Sequence, residues 1–408
     1  MALSSPSPTR TERHDQIRLL ILAAILFVSY LCIGLSLPAV PVFVSGQLGL
    51  GNSLAGLAVG IAFIATFLMR GPAGLMSDRR GPKAAVMRGL ILYISGATAS
   101  LFVGLPGLNP WLACVILLAG RFVLGLGESF VAVGIIAWGI SIVGPSRSGK
   151  VLALVGAAIY GALALGAPFG LLLLSHIGFA GTMLLATILP MLGLIVIWRL
   201  PATAPAPASP RPGFLRIIAQ IWPFGIVVYL QGVGFALIGT FFSLYFLAQG
   251  WSHAGLGLTA FGIGFVAARL FFGGLPDRIG GLPVAIFSLA VAAVGQFTIW
   301  VAPGPVTGLT GALLTGLGVS MVYPAMGREV VRRVQPHLRA TAVGGFSAFQ
   351  DLAYGLTGPL AGLLADRAGL GSVFLTGAIT ALCGLIVAVI LLRAGGGGLP
   401  SGESQKQL

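Results

Sequence analysis

Three ionisable residues stand where such groups are costly. Arg121 and Glu128 share one apolar run, 110–142, and Asp351 lies in another, 340–363. An ionised side chain at a bilayer centre costs roughly 2.5–3.5 kcal/mol on insertion scales, so it faces a cavity or a partner. A carboxylate that binds a proton or a cationic group in alternation is the simplest coupling device, and Glu128 and Asp351 are the candidates. Seven positions on a helix return to within about 20° of the same face, with a rise of about 10.5 Å. A direct Arg121–Glu128 bond is too long; a water-linked or ligand-bridged pair is expected, with Gly125 between them. The structural alternatives are a network pinning the fourth span to the first or fifth, and an Asp351 hydrogen-bonded near Tyr323 or Gln350. Tyr30, Tyr229, Gln231, Tyr323 and Tyr354 are further cavity candidates, because polar groups within spans need partners.

A second constellation is repeated. Arg70-Gly-Pro-Ala-Gly74-Leu-Met-Ser-Asp78-Arg79-Arg-Gly81 reappears as Arg269-Leu-Phe-Phe-Gly273-Gly-Leu-Pro-Asp277-Arg278-Ile-Gly280, at an offset of 199. A carboxylate in such a turn can face a helix N-terminus, where the dipole favours an anion by roughly 0.3–1 kcal/mol. Pseudo-symmetry puts Asp78 against the start of the eleventh span and Asp277 against the start of the fifth, as gates. Arg70 and Arg269 read as helix-end residues that snorkel to the interface. Asp366-Arg367 imitates part of the tract and reads as a loop ion pair at the opposite face.

The elements that hold these residues are membrane helices. Of 408 residues 57% are hydrophobic and 8% charged, against about 25% charged in soluble domains. Twelve apolar spans fit, at 18–44, 52–73, 84–104, 110–142, 151–174, 181–199, 217–248, 254–273, 284–302, 308–331, 340–363 and 371–393. Each is long enough to cross the hydrocarbon core, and as helices they satisfy their own backbones. The expected fold is an all-α membrane protein of twelve transmembrane helices in two pseudo-symmetric six-helix halves. Its parts are a tail 1–17, a bundle 18–199, a proline-rich linker 200–216, a bundle 217–393 and a tail 394–408. Tyr30-Leu31 matches Tyr229-Leu230 at the offset of 199. Gly125-Leu-Gly127 matches Gly316-Leu-Gly318, and Pro168 matches Pro359, at 191. Duplicated halves around a central path are a transporter architecture.

The net charge of +14 follows topology rather than nucleic-acid binding. With a cytoplasmic N-terminus, all Lys and Arg except Arg121 and Arg367 fall in or beside cytoplasmic segments. The three cysteines and four histidines have no metal-ligand or disulfide spacing. No phosphate-binding loop precedes a lysine: Ser148-Gly-Lys150 lacks the leading glycine. No metal or cofactor is expected, and energy is expected from gradients.

Gly74-Leu-Met-Ser-Asp78-Arg79-Arg-Gly81-Pro-Lys83 and Arg121-Phe-Val-Leu-Gly125-Leu-Gly127 resemble the loop and fourth-helix signatures of the major facilitator superfamily. The run 120–129, with Trp138-Gly-Ile and Tyr160-Gly-Ala-Leu-Ala-Leu-Gly-Ala-Pro168, is similar to its bacterial YhhS/YfcJ-type, arabinose-efflux-like branch. The antiporter signature of the fifth helix is degenerate, with Ala167-Pro168 where Gly-Pro is usual. The resemblance implies an inner-membrane carrier and not an enzyme. Its partners would be a small-molecule substrate, protons and the lipid bilayer, and no nucleic acid. Both termini would be cytoplasmic and the protein a monomer. The favoured reading is proton-coupled export of a small organic compound. The alternatives are uptake of a sugar or organic anion with Arg121 as counter-ion, and a membrane sensor or enzyme.

Overall fold

A computed structural model describes residues 10–144, 147–203, 214–335 and 339–395. Residues 1–9 and 396–408 of the two expected tails, and 204–213 of the linker, lie outside the described residues. Every regular element described is a helix. In order they are α1 Arg10–Val42, a π-helical turn Phe43–Gln47, α2 Asn52–Arg80, α3 Pro82–Val103, α4 Pro110–Val143, α5 Ser148–Arg199, α6 Phe214–Ala248, α7 Leu256–Phe272, α8 Leu275–Ile279, α9 Gly281–Trp300, α10 Pro305–Arg333, α11 Arg339–Ala368 and α12 Ser372–Gly395.

Nine of the described helices combine the length and apolarity needed to cross a bilayer. α5 supplies two crossings. At Gly178 the backbone (φ 70°, ψ −178°) leaves the helical region, a conformation close to glycine-only. Val151 packs beside Gly139 and Pro168 beside Gly255. After the break Phe179 stacks on Phe43, and the carbonyl of Trp198 receives Lys83 Nζ at 2.9 Å. The chain therefore runs up and back. α7, with 17 residues, and α11, with 30, complete twelve crossings.

Two expected boundaries are corrected. The second span does not stop near residue 73: α2 continues through Pro72 to Arg80, so Asp78 and Arg79 lie in its last turns rather than in a loop. The first helix begins at Arg10, within the expected tail. The repeated tract also folds differently in the two halves. Consecutive glycines, Gly273 and Gly274, separate α7 from α8, and Pro276 opens α8 at a position where its missing N–H costs nothing. What the copies share is the final glycine. Gly81 (φ 87°) and Gly280 (φ 97°) both take a backbone that other residues rarely adopt, and each delivers the chain directly into the next helix.

The two halves meet chiefly along two seams, α2 against α11 and α5 against α7, with a smaller contact of α1 on α6. At the end away from the repeated tracts both seams are tight. A Cβ on Gly56 would overlap the carbonyl of Gly358, one on Gly60 that of Gly355, and one on Gly362 that of Asn52. Thr259 Oγ1 donates to the carbonyl of Ala164 at 2.7 Å across the other seam. Toward the tracts, a Cβ on Gly71 or Gly74 of α2 or on Gly344 of α11 would meet no described neighbour. Among the described residues, the close backbone approaches between the halves lie at the face away from the tracts.

Candidate functional site

α4 carries Arg121 and Glu128 because glycines let it lie against its neighbours. A Cβ on Gly125 would overlap the carbonyl of Ala62 on α2, and one on Gly127 would press on α3. The close crossing holds Glu128, 5% exposed, between α1 and α2. It accepts hydrogen bonds from Tyr30 Oη at 3.0 Å and Thr66 Oγ1 at 3.3 Å. Arg121, 1% exposed, takes other partners. Its Nε donates to the carbonyl of Ala58 at 3.2 Å and its Nη1 to Ser36 Oγ at 2.8 Å. The two residues do not bond directly, as their spacing requires. Arg121 ties α4 to α1 and α2, not to the fifth span.

Asp351, 5% exposed, forms a two-pronged ion pair with Arg70, through Nε and through Nη2 at 2.8 Å. This corrects the reading of Arg70 as a snorkelling helix-end residue. Because α2 runs several residues further than its apolar run suggests, Arg70 is interior to the helix. Its side chain reaches across the seam, so the pair joins the two halves. Charge-assisted, bidentate geometry of this kind is among the stronger polar contacts. Glu128 lies within electrostatic reach of both Asp351 and Arg70, and so does Tyr30. The four residues form one cluster from α1, α2, α4 and α11.

The second cluster lies across the same level. Tyr160 on α5 stacks on Phe265 of α7 with centroids 3.7 Å apart. Phe235 of α6 meets Tyr354 of α11 at 4.8 Å, and Gln350 Nε2 donates to Tyr354 Oη at 2.6 Å. Tyr323 of α10 shares a 2.6 Å hydrogen bond with Ser347 of α11 and feels Arg70, Asp351 and Arg269. Gln231, 1% exposed, has no hydrogen-bond partner for either amide atom among the described residues. Of the expected cavity residues, Tyr30, Tyr323 and Tyr354 join these clusters, whereas Tyr229 is half-buried and packs against the apolar core.

The chain's sequence agrees with this architecture. The sequence model of the Major Facilitator Superfamily matches residues 22–258 and 225–407. The chain belongs to the Major Facilitator Superfamily. It is 43% identical over 386 residues to an uncharacterized MFS-type transporter of Salmonella typhimurium, covering 95% of this chain and 99% of that one. It is 38% identical over 392 residues to an uncharacterized MFS-type transporter of Burkholderia pseudomallei, covering 96% and 95%. Among solved structures, it is similar in fold to a nucleoside transporter (16% identity, TM-score 0.73, 91% of this chain and 99% of that one). It is also similar to a D-xylose–proton symporter (17% identity, TM-score 0.74, 90% and 97%). Membership of the superfamily makes the chain a multi-pass membrane transporter of small molecules and not an enzyme.

The repeated tracts sit at the face opposite the close backbone approaches between the halves. Asp277 on α8 lies 3.4 Å from Arg328 of α10, inside its own half. Its expected partner, the start of α5, includes side chains outside the described residues. Glu329 anchors the same corner, accepting from the backbone N–H of Gly281 at 3.1 Å and from Arg333 Nη1 at 2.9 Å. Asp78 is half-buried near the end of α2. The first turn of α11, its expected partner, has side chains outside the described residues.

Asp366 is also reassigned. It does not form a loop pair with Arg367. Its carboxylate accepts from the backbone N–H of Asn52 at 2.8 Å, from Asn52 Nδ2 at 3.0 Å and from the backbone N–H of Ser53 at 3.0 Å. It caps α2 from the other half of the molecule. Sequence reasoning missed four participants: Arg70 as an ion-pair partner, Thr66, Tyr160 and Arg269. The repeat held a signal for one of them, since Tyr160 occupies the position equivalent to Asp351.

Proposed function

We propose that the chain is a proton-coupled exporter of a small organic compound, acting as a monomer by alternating access. It would lie in a bacterial inner membrane with both termini cytoplasmic. Arginines and a lysine at the face bearing the tracts, including Arg79, Arg80, Lys83, Arg328, Arg332 and Arg333, support that orientation by the positive-inside rule. The 18–199 and 217–393 bundles are the rocking bodies, and the 200–216 segment links them. The match to Tyr160–Pro168 and the 120–129 run supports the arabinose-efflux-like branch.

One observation carries the coupling: Glu128 lies beside the Arg70–Asp351 pair that bridges the halves. Ionised, Glu128 repels Asp351 and competes for Arg70; protonated, it leaves Arg70 to Asp351 alone. Charges inside a protein interact more strongly than the same charges in water. Protonation therefore favours the joined seam, and proton release favours its opening. Tyr30 and Thr66 hold the carboxyl in either state, since both hydroxyls can donate or accept. The residues Gly74, Asp78, Arg79, Gly81, Gly273, Asp277, Arg278 and Gly280 are the gate at the face bearing the tracts.

The test is transport in proteoliposomes under an imposed pH gradient. Glu128→Gln should keep substrate exchange in the absence of a gradient and lose gradient-driven accumulation. Accumulation that still follows the gradient in Glu128→Gln and Asp351→Asn carriers removes the proton-coupled reading.

A further inference from the structure

The duplication gives Arg70 a twin whose surroundings differ in one decisive way. Arg269 stands at the equivalent place on α7, and the residue equivalent to Asp351 is Tyr160. The first arginine is neutralised by a carboxylate across its seam. The second faces an aromatic ring across its own. No carboxylate pairs with Arg269 among the described residues, and its Nε is buried without a hydrogen-bond partner. Its Cζ lies 5.0 Å from the centroid of Phe265, which offers a cation–π contact but accepts no conventional hydrogen bond.

Its orientation excludes a lipid-facing role. Leu270 and Phe271 are 76% and 79% exposed and form the outer surface of α7. Arg269 points the other way, to Gly156 on α5. Among the described residues, a Cβ built on Gly156 would meet only Arg269 Nη1, at 3.9 Å, which leaves room there beside the guanidinium. Tyr160 borders that space next to Gln350 and Tyr354. A guanidinium fork with an unused Nε donor, flanked by a phenol and an amide, fits a carboxylate in two-pronged geometry.

We infer that Arg269 receives the anionic group of the transported molecule, so that the substrates are small organic carboxylates. The ligand supplies the charge that the protein itself supplies at Asp351 in the other half. Binding there would place a matching ion pair on each seam. This inference rests on the reading of the chain as a carrier whose central cavity lies between the seams, but not on proton coupling.

The probes are benzoate and gluconate against their neutral amides and against benzylamine. The full chain is purified in neutral detergent, and binding is followed by thermal shift and by isothermal titration. The expected result is saturable binding of at least one carboxylate, weakened tenfold or more by Arg269→Gln and less by Arg269→Lys. Tyr160→Asp supplies an internal carboxylate where the repeat tolerates one, and should abolish carboxylate binding while the protein melts normally. Three results overturn the inference. They are equal binding of acid and amide, carboxylate binding unchanged in a folded Arg269→Gln protein, and displacement of benzoate by phosphatidylglycerol with no transport, which marks a lipid site. If neutral compounds are carried and still follow the pH gradient through Glu128, this inference fails and the coupling reading stands. If carboxylates bind at Arg269 but no gradient drives them, the reverse holds.

Discussion

Asp366, near the end of α11, caps the first turn of α2 through Asn52, whose backbone N–H it receives at 2.8 Å. The helices belong to different halves, so this cap exists only while the far face is shut. Losing an N-cap costs about 0.5–2 kcal/mol, and an exposed cap sits toward the lower end. Asp366→Ala should therefore shift the carrier several-fold toward opening at that face. Alkylation of an Ala361→Cys reporter, in a background without the exposed Cys383, reads the shift. Unchanged labelling would mean that the cap contributes nothing to closure.

The same cap has a defined pH dependence. Partial burial opposes ionisation of Asp366, but the backbone N–H groups of Ser53 and Asn52 outweigh it and hold the carboxyl below its usual range. A depressed value means stabilisation is fully present above the ordinary aspartate pKa, about 3.9, and is lost as pH falls through the depressed one. Between pH 5 and 8 the labelling at position 361 should therefore stay flat when Asp366 is retained. A slope in that range would place a titrating group other than Asp366 on the closed face.

The glycines of the seam give a contrast within one helix. A methyl at position 56 or 60 would collide with α11 backbone, whereas one at 74 meets nothing in this conformation. Overpacking a tight contact costs typically about 1–3 kcal/mol. Gly56→Ala and Gly60→Ala should raise labelling of the Ala361→Cys reporter about tenfold. Gly74→Ala should leave it unchanged yet reduce transport, because position 74 is needed in the state closed at the other face.

How far the sequence foretold this depends on the kind of contact. Twelve crossings, two halves and the offset repeat follow from apolar run length and glycine spacing, which are local properties. Gly125 and Gly316 were legible as a repeated pair because helix crossings at fixed points require missing side chains. The partner of Arg70 was not legible. It lies 281 positions away, and the register between α2 and α11 is written in neither helix alone. The extension of α2 past Gly71-Pro72 hid it further, since a glycine–proline pair reads as a helix end. Asp366 misled for a related reason: its neighbour Arg367 supplied an obvious local partner, while its real partners are two backbone N–H groups and the Asn52 amide on a distant helix.

Arg121 should behave as a brace in a stability measurement. Removing it leaves Ser36 and the carbonyl of Ala58 without their donor, and hydrogen bonds from a charged group are worth about 1.5–3 kcal/mol each. Arg121→Ala should lower the melting temperature of the detergent-purified chain more than Ser36→Ala does. Combining them should cost less than the two effects added, with a coupling of about 0.5–3 kcal/mol. Strict additivity would show that the Arg121–Ser36 contact carries no energy.

The Arg70–Asp351 pair separates stability from transport. Removing one member of a buried ion pair typically costs about 3–5 kcal/mol because the other charge is stranded, while neutralising both is often near neutral. Arg70 is partly exposed, with 28% of its side chain accessible against 7% for Asp351, so the lower end of that range applies. Arg70→Gln and Asp351→Asn should each lower the melting temperature, and the double variant should recover most of the loss. Transport should not recover with it, since a neutral pair gives Glu128 no charge to compete for. A double variant that transports along a pH gradient like the unsubstituted carrier would reduce the pair to a structural strut, and coupling would have to be sought away from Glu128.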